Sequence, residues 1–296
     1  MHQNPHKISH VPVLLAEILE YTRPQLADRY LDVTAGYGGH AQSILELTNN
    51  YQESVLVDRD ARAVTDLTAM FSHQQIALLQ QDYLSASRDL AKQQRKFDII
   101  LADLGVSSLH LNEGNRGFSF NEEGPLDMRM DQAQEISAWN LINESTEEDL
   151  ATILWKYGEE PKSRQIARMI ARSRPIQTTY DLANIAKKAW PGHSRVHPAT
   201  RTFQAFRIAV NSELDQLTEA LPIWLKLLAP EGRLAIISFH SLEDRIVKQF
   251  FASESGDRYD ASLSLLTKRP VIPSPQEKAI NPRSHSAKLR VAVKQK

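Results

Sequence analysis

Short apolar runs recur along the first third of the chain, each closed by an aspartate or a glycine, and between them apolar residues return at helical spacing. Tyr30-Leu31-Asp32-Val33 runs into a glycine turn, Ser54 to Val57 ends at Asp58, Ile76 to Leu79 ends near Asp82, and Phe97 to Leu104 ends at Gly105. Continuous apolar runs of this length predict strands buried on both faces. Stretches such as Ala61 to Phe71, with Val64, Leu67 and Phe71 on one side, predict amphipathic helices. Strands separated by helices imply βαβ units, a parallel sheet and right-handed crossovers.

The rhythm stops after Gly105. An irregular stretch from Leu109 to Pro125 contains Gly114, Gly117 and Gly124, and helical patterns then dominate: Glu147 to Tyr157, Ser163 to Ser173 and Tyr180 to Trp190. A leucine-rich helix, Ser212 to Leu228, leads through Pro230-Glu231-Gly232 into a buried strand, Arg233 to Phe239, and Leu289 to Val293 is expected as a last, edge strand. The expected fold is α/β, a doubly wound Rossmann-like domain formed by residues 1–108 and 205–296, with residues 109–204 as an inserted helical domain.

Composition narrows the classes. The chain has 296 residues, 42% hydrophobic, enough for a sizeable core. It has no cysteine, which excludes disulfides, thiolate metal sites and a cysteine nucleophile. No apolar run approaches the ~18 residues that span a bilayer, and the segment from Met1 to Val11 has no apolar signal core, so a soluble cytoplasmic protein is expected, with no membrane partner. The formal charge of −1 argues by itself against a nucleic-acid partner.

Open α/β sheets bind ligands beyond the carboxyl ends of their strands. The first such segment, Asp32 to Ala41, contains Gly36, Gly38 and Gly39, which let backbone approach a ligand ahead of a helix N-terminus; a plain tight turn is the competing explanation. Asp58 follows Gly36 at the distance where a carboxylate takes both hydroxyls of a ribose, a group common to NAD and S-adenosylmethionine. Asp32 would repel a pyrophosphate and suits a cationic amino-acid moiety, and Asp103 adds a third carboxylate at a strand end. Three aspartates around one crevice favour a cationic ligand over three helix caps. Phosphate-loop, metalloprotease and hydrolase-elbow patterns are missing, and the ten histidines show no metal-ligand spacing, so no metal is expected. His240, Ser241 and Asp244 read as a helix start with Ser241 as N-cap.

The segments DVTAGYGGH (32–40), DRD (58–60), DLGVSS (103–108), RGFSF (116–120), PLDMRMD (125–131), YGEE (157–160), HPATRTFQAFRIAVN (197–211), ISFHSLEDRIVK (237–248) and NPRSHSAKLR (281–290) resemble, in order and over nearly the whole chain, those of the bacterial ribosomal RNA small-subunit methyltransferase H family, also called MraW. The resemblance implies a Rossmann-like S-adenosylmethionine-dependent methyltransferase. Its product would be N4-methylcytosine in the decoding region of 16S ribosomal RNA within the small ribosomal subunit. The family's cofactor contacts fall on Gly38, Gly39, His40, Asp58, Asp103 and Tyr83; where the family usually has glutamine, this chain has His110. Asp103 is the position from which amino-group methyltransferases of this general fold commonly present an acceptor to the amine, which makes it the catalytic candidate. The Asp/Asn-Pro-Pro-aromatic tetrapeptide many of them use is missing, so contact with cofactor alone is the competing role. The inserted helices are expected to help recognise substrate.

The net charge hides blocks. Residues 113–160 hold 12 acidic and 3 basic side chains, residues 162–207 hold 10 basic and only Asp181 acidic, and residues 268–296 hold 8 basic against Glu277. Blocks so poor in acid suit phosphate contacts, and Arg164, Arg168, Arg172, Arg201 and Arg207 are the expected RNA-binding residues; a solvated helix face is the plain alternative. Methyl transfer to a protein amine, a non-catalytic assembly factor and an NAD-dependent enzyme are the other readings. Oligomeric state is left open, a homodimer being one option.

Overall fold

The computed structural model of the chain describes residues 12–105, 114–192, 197–256 and 261–295. The chain falls into two compact units, residues 1–105 with 216–296 and residues 106–215. A continuous helix, Ala199–Asn211, runs across the boundary expected at residue 204. A helix cannot be divided without giving up its own hydrogen bonds, and this one belongs to the second unit throughout.

The first unit is built on strands β1 (Tyr30–Asp32), β2 (Val55–Asp58), β3 (Ala77–Gln80), β4 (Phe97–Asp103), β5 (Leu228–Ser238), β6 (Leu263–Leu265) and β7 (Lys288–Lys294). They form one sheet in the order β3-β2-β1-β4-β5-β7-β6. The first five pair in parallel, and β7 runs antiparallel to both of its neighbours. Helices α1 (Leu15–Thr22), α2 (Gly39–Thr48), α3 (Ala61–Met70) and α4 (Tyr83–Lys92) are the early helices.

The sheet is apolar on both faces, which is why its strands read as unbroken runs. In β4, Ile100 and Ala102 join a core with Leu84 and Leu90 of α4 and with Leu221, Trp224, Val247 and Phe251. Ile99 and Leu101 point into the opposite core, with Ile18 of α1, Ile44 and Leu45 of α2 and Leu67 of α3. Each fully buried Leu or Ile contributes roughly 1.5–3 kcal/mol. These layers fix the strand ends against one another.

Two strand expectations need correction. The segment around Leu289 to Val293 is not an edge strand: β7 lies inside the sheet, and the short β6 takes the edge. Arg290 gives the segment a half-exposed look in sequence, yet its side chain is buried and paired with Asp244 at 2.7 Å. β5 also starts earlier than expected, at Leu228, and its pairing with β4 shifts register between Phe97 and Ile99 as the chain passes Pro230-Glu231-Gly232.

The second unit is helical: Ala138–Glu144, Glu147–Gly158, Ser163–Arg172, Thr179–Ala189 and Ala199–Asn211. Leu150, Leu154, Ile166, Ile170, Leu182, Ala186, Phe203 and Phe206 supply its own core, as their three-to-four spacing predicts. Asn211 ties the preceding loop to the last of these helices: its Oδ1 accepts from Met130 N–H at 2.8 Å and its Nδ2 donates to Met128 O at 2.8 Å. No helix among the described residues is long and apolar enough to cross a membrane.

Candidate active site

Chain order reverses at β1, which has β2 on one side and β4 on the other, so a crevice opens beyond the carboxyl ends of β1 and β4. Asp32 closes β1, Asp58 closes β2 and Asp103 closes β4. All three aspartates singled out in the sequence therefore border one switch point.

The turn after β1 is shaped by its glycines. Gly38 sits at φ +79° as the residue before α2, and a Cβ there would fall 2.8 Å from Met70 Sδ. A Cβ on Gly39 would fall 2.7 Å from Pro12 Cγ. No side chain fits either position without displacement, and the first N–H groups of α2 stay open at the crevice. Gly36 N–H donates to Asp58 Oδ2 at 2.8 Å, and Asp60 N–H donates to Asp58 Oδ1 at 2.8 Å. Each oxygen of Asp58 keeps further acceptor capacity, as a carboxylate that receives two ribose hydroxyls requires. Burial holds the Asp58 carboxyl above its ordinary range.

Asp32 differs from expectation. It is only 1% exposed, and both oxygens are engaged inside the unit: Tyr30 Oη donates to Oδ2 at 2.7 Å and Thr34 N–H to Oδ1 at 3.1 Å. Burial raises its pKa to about 6 against the opposing hydrogen bond from Tyr30. A carboxylate so enclosed shapes the glycine turn.

Asp103 is only partly buried. Its N–H donates to Thr34 Oγ1 at 2.6 Å, which locks the end of β4 to the turn after β1. Its side chain is 26% accessible, yet Oδ1 is sealed from solvent with no hydrogen-bond partner among the described residues. Burial, and then the nearby Glu243 carboxylate, push its pKa up to about 7. A buried acceptor without a donor calls for one, and a ligand is the ready source.

His40 lies beside Asp103 without donating to it. Its Nε2 lies 2.9 Å from Val13 O, an acceptor, so the neutral ring carries its proton on Nε2 and presents a bare lone pair at Nδ1. Nδ1 lies 3.7 Å from Asp103 Oδ2, beyond hydrogen-bond reach. Burial lowers the His40 pKa, so at neutral pH the two form no ion pair.

Tyr83 opens α4 after Asp82, whose side chain caps the helix, and its ring lies 5.6 Å from that of buried Trp224. That packing fixes an aromatic face beyond β3. His110 lies outside the described residues. Sequence reasoning missed Tyr30, Thr34, Trp224 and Glu243: Thr34 Oγ1 accepts from Asp103 N–H and Trp224 packs on Tyr83 across long sequence separations, and Tyr30, two residues from Asp32, belongs to no motif. Glu243 lies in the first turn of the helix Ser241–Glu254, whose N-cap is His240 and not the expected Ser241. The Glu243 carboxylate accepts from Phe239 N–H at 2.8 Å and its own N–H bonds His240 Nδ1, so the capping box closes one residue earlier.

In the helical unit, Arg164, Arg168 and Arg172 form an exposed row at i, i+4 and i+8 of Ser163–Arg172, opposite the buried Ile166 and Ile170. Arg168 touches Glu147 at 3.4 Å across an exposed pair of little energetic weight. Arg201 is exposed and donates to Glu159 O at 3.2 Å. Arg207 departs from the expected set: Nε and Nη2 both reach the Glu213 carboxylate at 2.9 Å in a largely buried fork. A bidentate pair of this kind commits the guanidinium to the fold, leaving it a poor phosphate ligand.

The family model described as the MraW methylase family matches residues 7–295. A protein of Heliobacterium mobile named Ribosomal RNA small subunit methyltransferase H is 44% identical, covering 96% of this chain and 98% of that protein. Proteins of the same name from Synechocystis sp. and Lawsonia intracellularis are 46% and 43% identical, each over 96% of this chain and over 93% and 99% of their own lengths.

Proposed function

We propose that this chain, which belongs to the MraW methylase family, transfers a methyl group from S-adenosylmethionine to the exocyclic N4 of a cytosine in the decoding region of 16S ribosomal RNA, within the small ribosomal subunit of the cytoplasm. Relatives that share more than two-fifths of their residues along nearly their full length are named for methylating small-subunit ribosomal RNA. The observation that carries the mechanism is the Asp103 carboxyl, held at the switch point with a sealed oxygen that no donor among the described residues satisfies.

The residues fit the cofactor. Asp58 would take the ribose hydroxyls, the turn Gly36 to His40 would lie along the ligand's amino-acid end, and Tyr83 would pack beside it. S-adenosylmethionine, when bound, supplies an electrophilic methyl group on a sulfonium.

Cytosine N4 is a weak nucleophile because its lone pair is delocalised into the ring, and in a duplex it is paired, so the base must be presented unpaired. Asp103 as carboxylate accepts a hydrogen bond from the amine, favouring the rehybridisation that frees the lone pair, and receives the proton that becomes acidic after transfer. The same burial that lifts its pKa to about 7 matches it to this task at neutral pH. Thr34 holds Asp103 in position through its backbone, and His40, turned by Val13, keeps a lone pair rather than a proton donor toward it.

The test is purified protein incubated with small ribosomal subunits and methyl-labelled S-adenosylmethionine. The proposal expects label in RNA as N4-methylcytosine. Label confined to ribosomal protein would favour the protein-amine alternative.

A further inference from the structure

We propose that a cavity inside the helical unit is a seat for one unpaired nucleotide of the RNA substrate; the proposal rests on the RNA-directed reading above. The cavity measures about 230 Å³ and is lined by Phe120, Tyr180, Ala183, Asn184, Lys187 and His197. That is below the roughly 300–1,000 Å³ of drug-sized pockets, a scale that suits a single planar ring.

Its walls combine what a nucleotide needs. Phe120 stacks on His197 with ring centres 4.6 Å apart and planes 19° from parallel, and Phe203 braces it edge-on at 5.2 Å. Tyr180 is 41% exposed, and its hydroxyl donates to Asn121 O at 3.2 Å, which fixes the ring. Stacking of a base on such a face is worth about 1–3 kcal/mol and does not require a particular sequence. Ala199 N–H donates to His197 Nδ1 at 3.2 Å, so the neutral imidazole has Nε2–H left to give. Asn184 offers a donor and an acceptor to a base edge, and Lys187 offers an ammonium to phosphate.

The placement follows from helical spacing. Tyr180, Asn184 and Lys187 stand at i, i+4 and i+7 of Thr179–Ala189, on the face opposite buried Leu182 and Ala186. Asn184 and Lys187 are exposed, so neither is needed to hold the core. The segment also lies in the block whose sole acidic residue is Asp181, which keeps the surroundings favourable to a polyanion. An acidic peptide could meet the ammonium but would leave the stacked aromatic walls without a planar partner.

The experiment uses the full chain and small ribosomal subunits from cells lacking it. Asn184→Ala and Lys187→Ala should each raise KM for subunits about tenfold, the change expected for removing one interaction of about 1.4 kcal/mol. Protection from thermal unfolding by S-adenosylmethionine should stay as in the wild type. A photocrosslinking amino acid at position 180 should couple to a single unpaired stretch of 16S ribosomal RNA, a readout independent of how well the substituted chains fold. Unchanged KM in both variants, with no RNA crosslink from position 180 while the wild type methylates RNA, overturns the seat. A chain that crosslinks to RNA from position 180, beside a wild type that transfers no methyl to RNA, would overturn the functional reading and leave the seat standing.

Discussion

Asp103 has an environment that suits a reacting group better than a structural one, and its acid–base behaviour makes this measurable. As the acceptor it must be ionised, so kcat/KM should climb with pH through an apparent pKa near 7 and level off above it. Asp103→Asn should lower the rate by about 10²–10⁴-fold and abolish that limb. The same group costs stability. Asp32, at about 6, and Asp103, at about 7, both sit above the ordinary 3.8, so the folded chain holds protons that the unfolded chain has already released. Their effect on stability is most favourable below pH ~4 and is lost as pH rises to ~7. Melting curves should therefore show Asp103→Asn with a higher Tm than the wild type at pH 8, by about 2–4 °C for each kcal/mol relieved, and no difference near pH 4. A gap independent of pH would show that burial of this carboxylate is not the cause. Arg207 belongs at this scale too: Arg207→Ala removes the two-pronged hydrogen bond to the buried Glu213 carboxylate and should destabilise the helical unit by about 1.5–3 kcal/mol in denaturant titrations.

At the scale of elements, β1, β2 and β4 were legible because both faces of the sheet are covered there, and burial on both sides leaves an unbroken apolar run; β3, at the sheet edge, is only partly buried and was legible from Leu78 and Leu79. Since ligands gather at carboxyl ends, reading those strands also located Asp58 and Asp103. The misread elements have physical causes: β6 is three residues long and has no period to detect, and β7 carries Arg290, whose partner Asp244 lies on another element. Asp32 was found, but nothing in sequence reveals that it is buried with Tyr30 and Thr34 donating to its oxygens. The YGEE segment shows how a motif can record packing. A Cβ on Gly158 would fall 2.8 Å from Arg201 O, where Glu147–Gly158 meets Ala199–Asn211. Gly158→Ala should cost roughly 1–3 kcal/mol in chemical denaturation, because backbone must move to admit one methyl group. A neutral effect would mean the two helices separate freely.

For the whole molecule, a formal charge of −1 conceals one acidic and two basic blocks, the remainder of the chain being acidic, and the structure refines which basic residues can reach RNA. Arg164, Arg168, Arg172 and Arg201 are exposed and Arg207 is not available, a distinction that depends on Glu213 and is invisible in a charge count. Arg164, Arg168 and Arg172 replaced together by alanine should flatten the dependence of log affinity on log salt by about one for each phosphate no longer neutralised. An unchanged slope would move the RNA to another surface. The most direct test of the central claim is a map of N4-methylcytosine in 16S ribosomal RNA from cells lacking this chain, complemented with wild type or with Asp103→Asn. The account predicts one decoding-region cytosine unmodified in the deletion, restored by the wild type and not by the variant; a modification that persists in the deletion, or returns in full with Asp103→Asn, would contradict it.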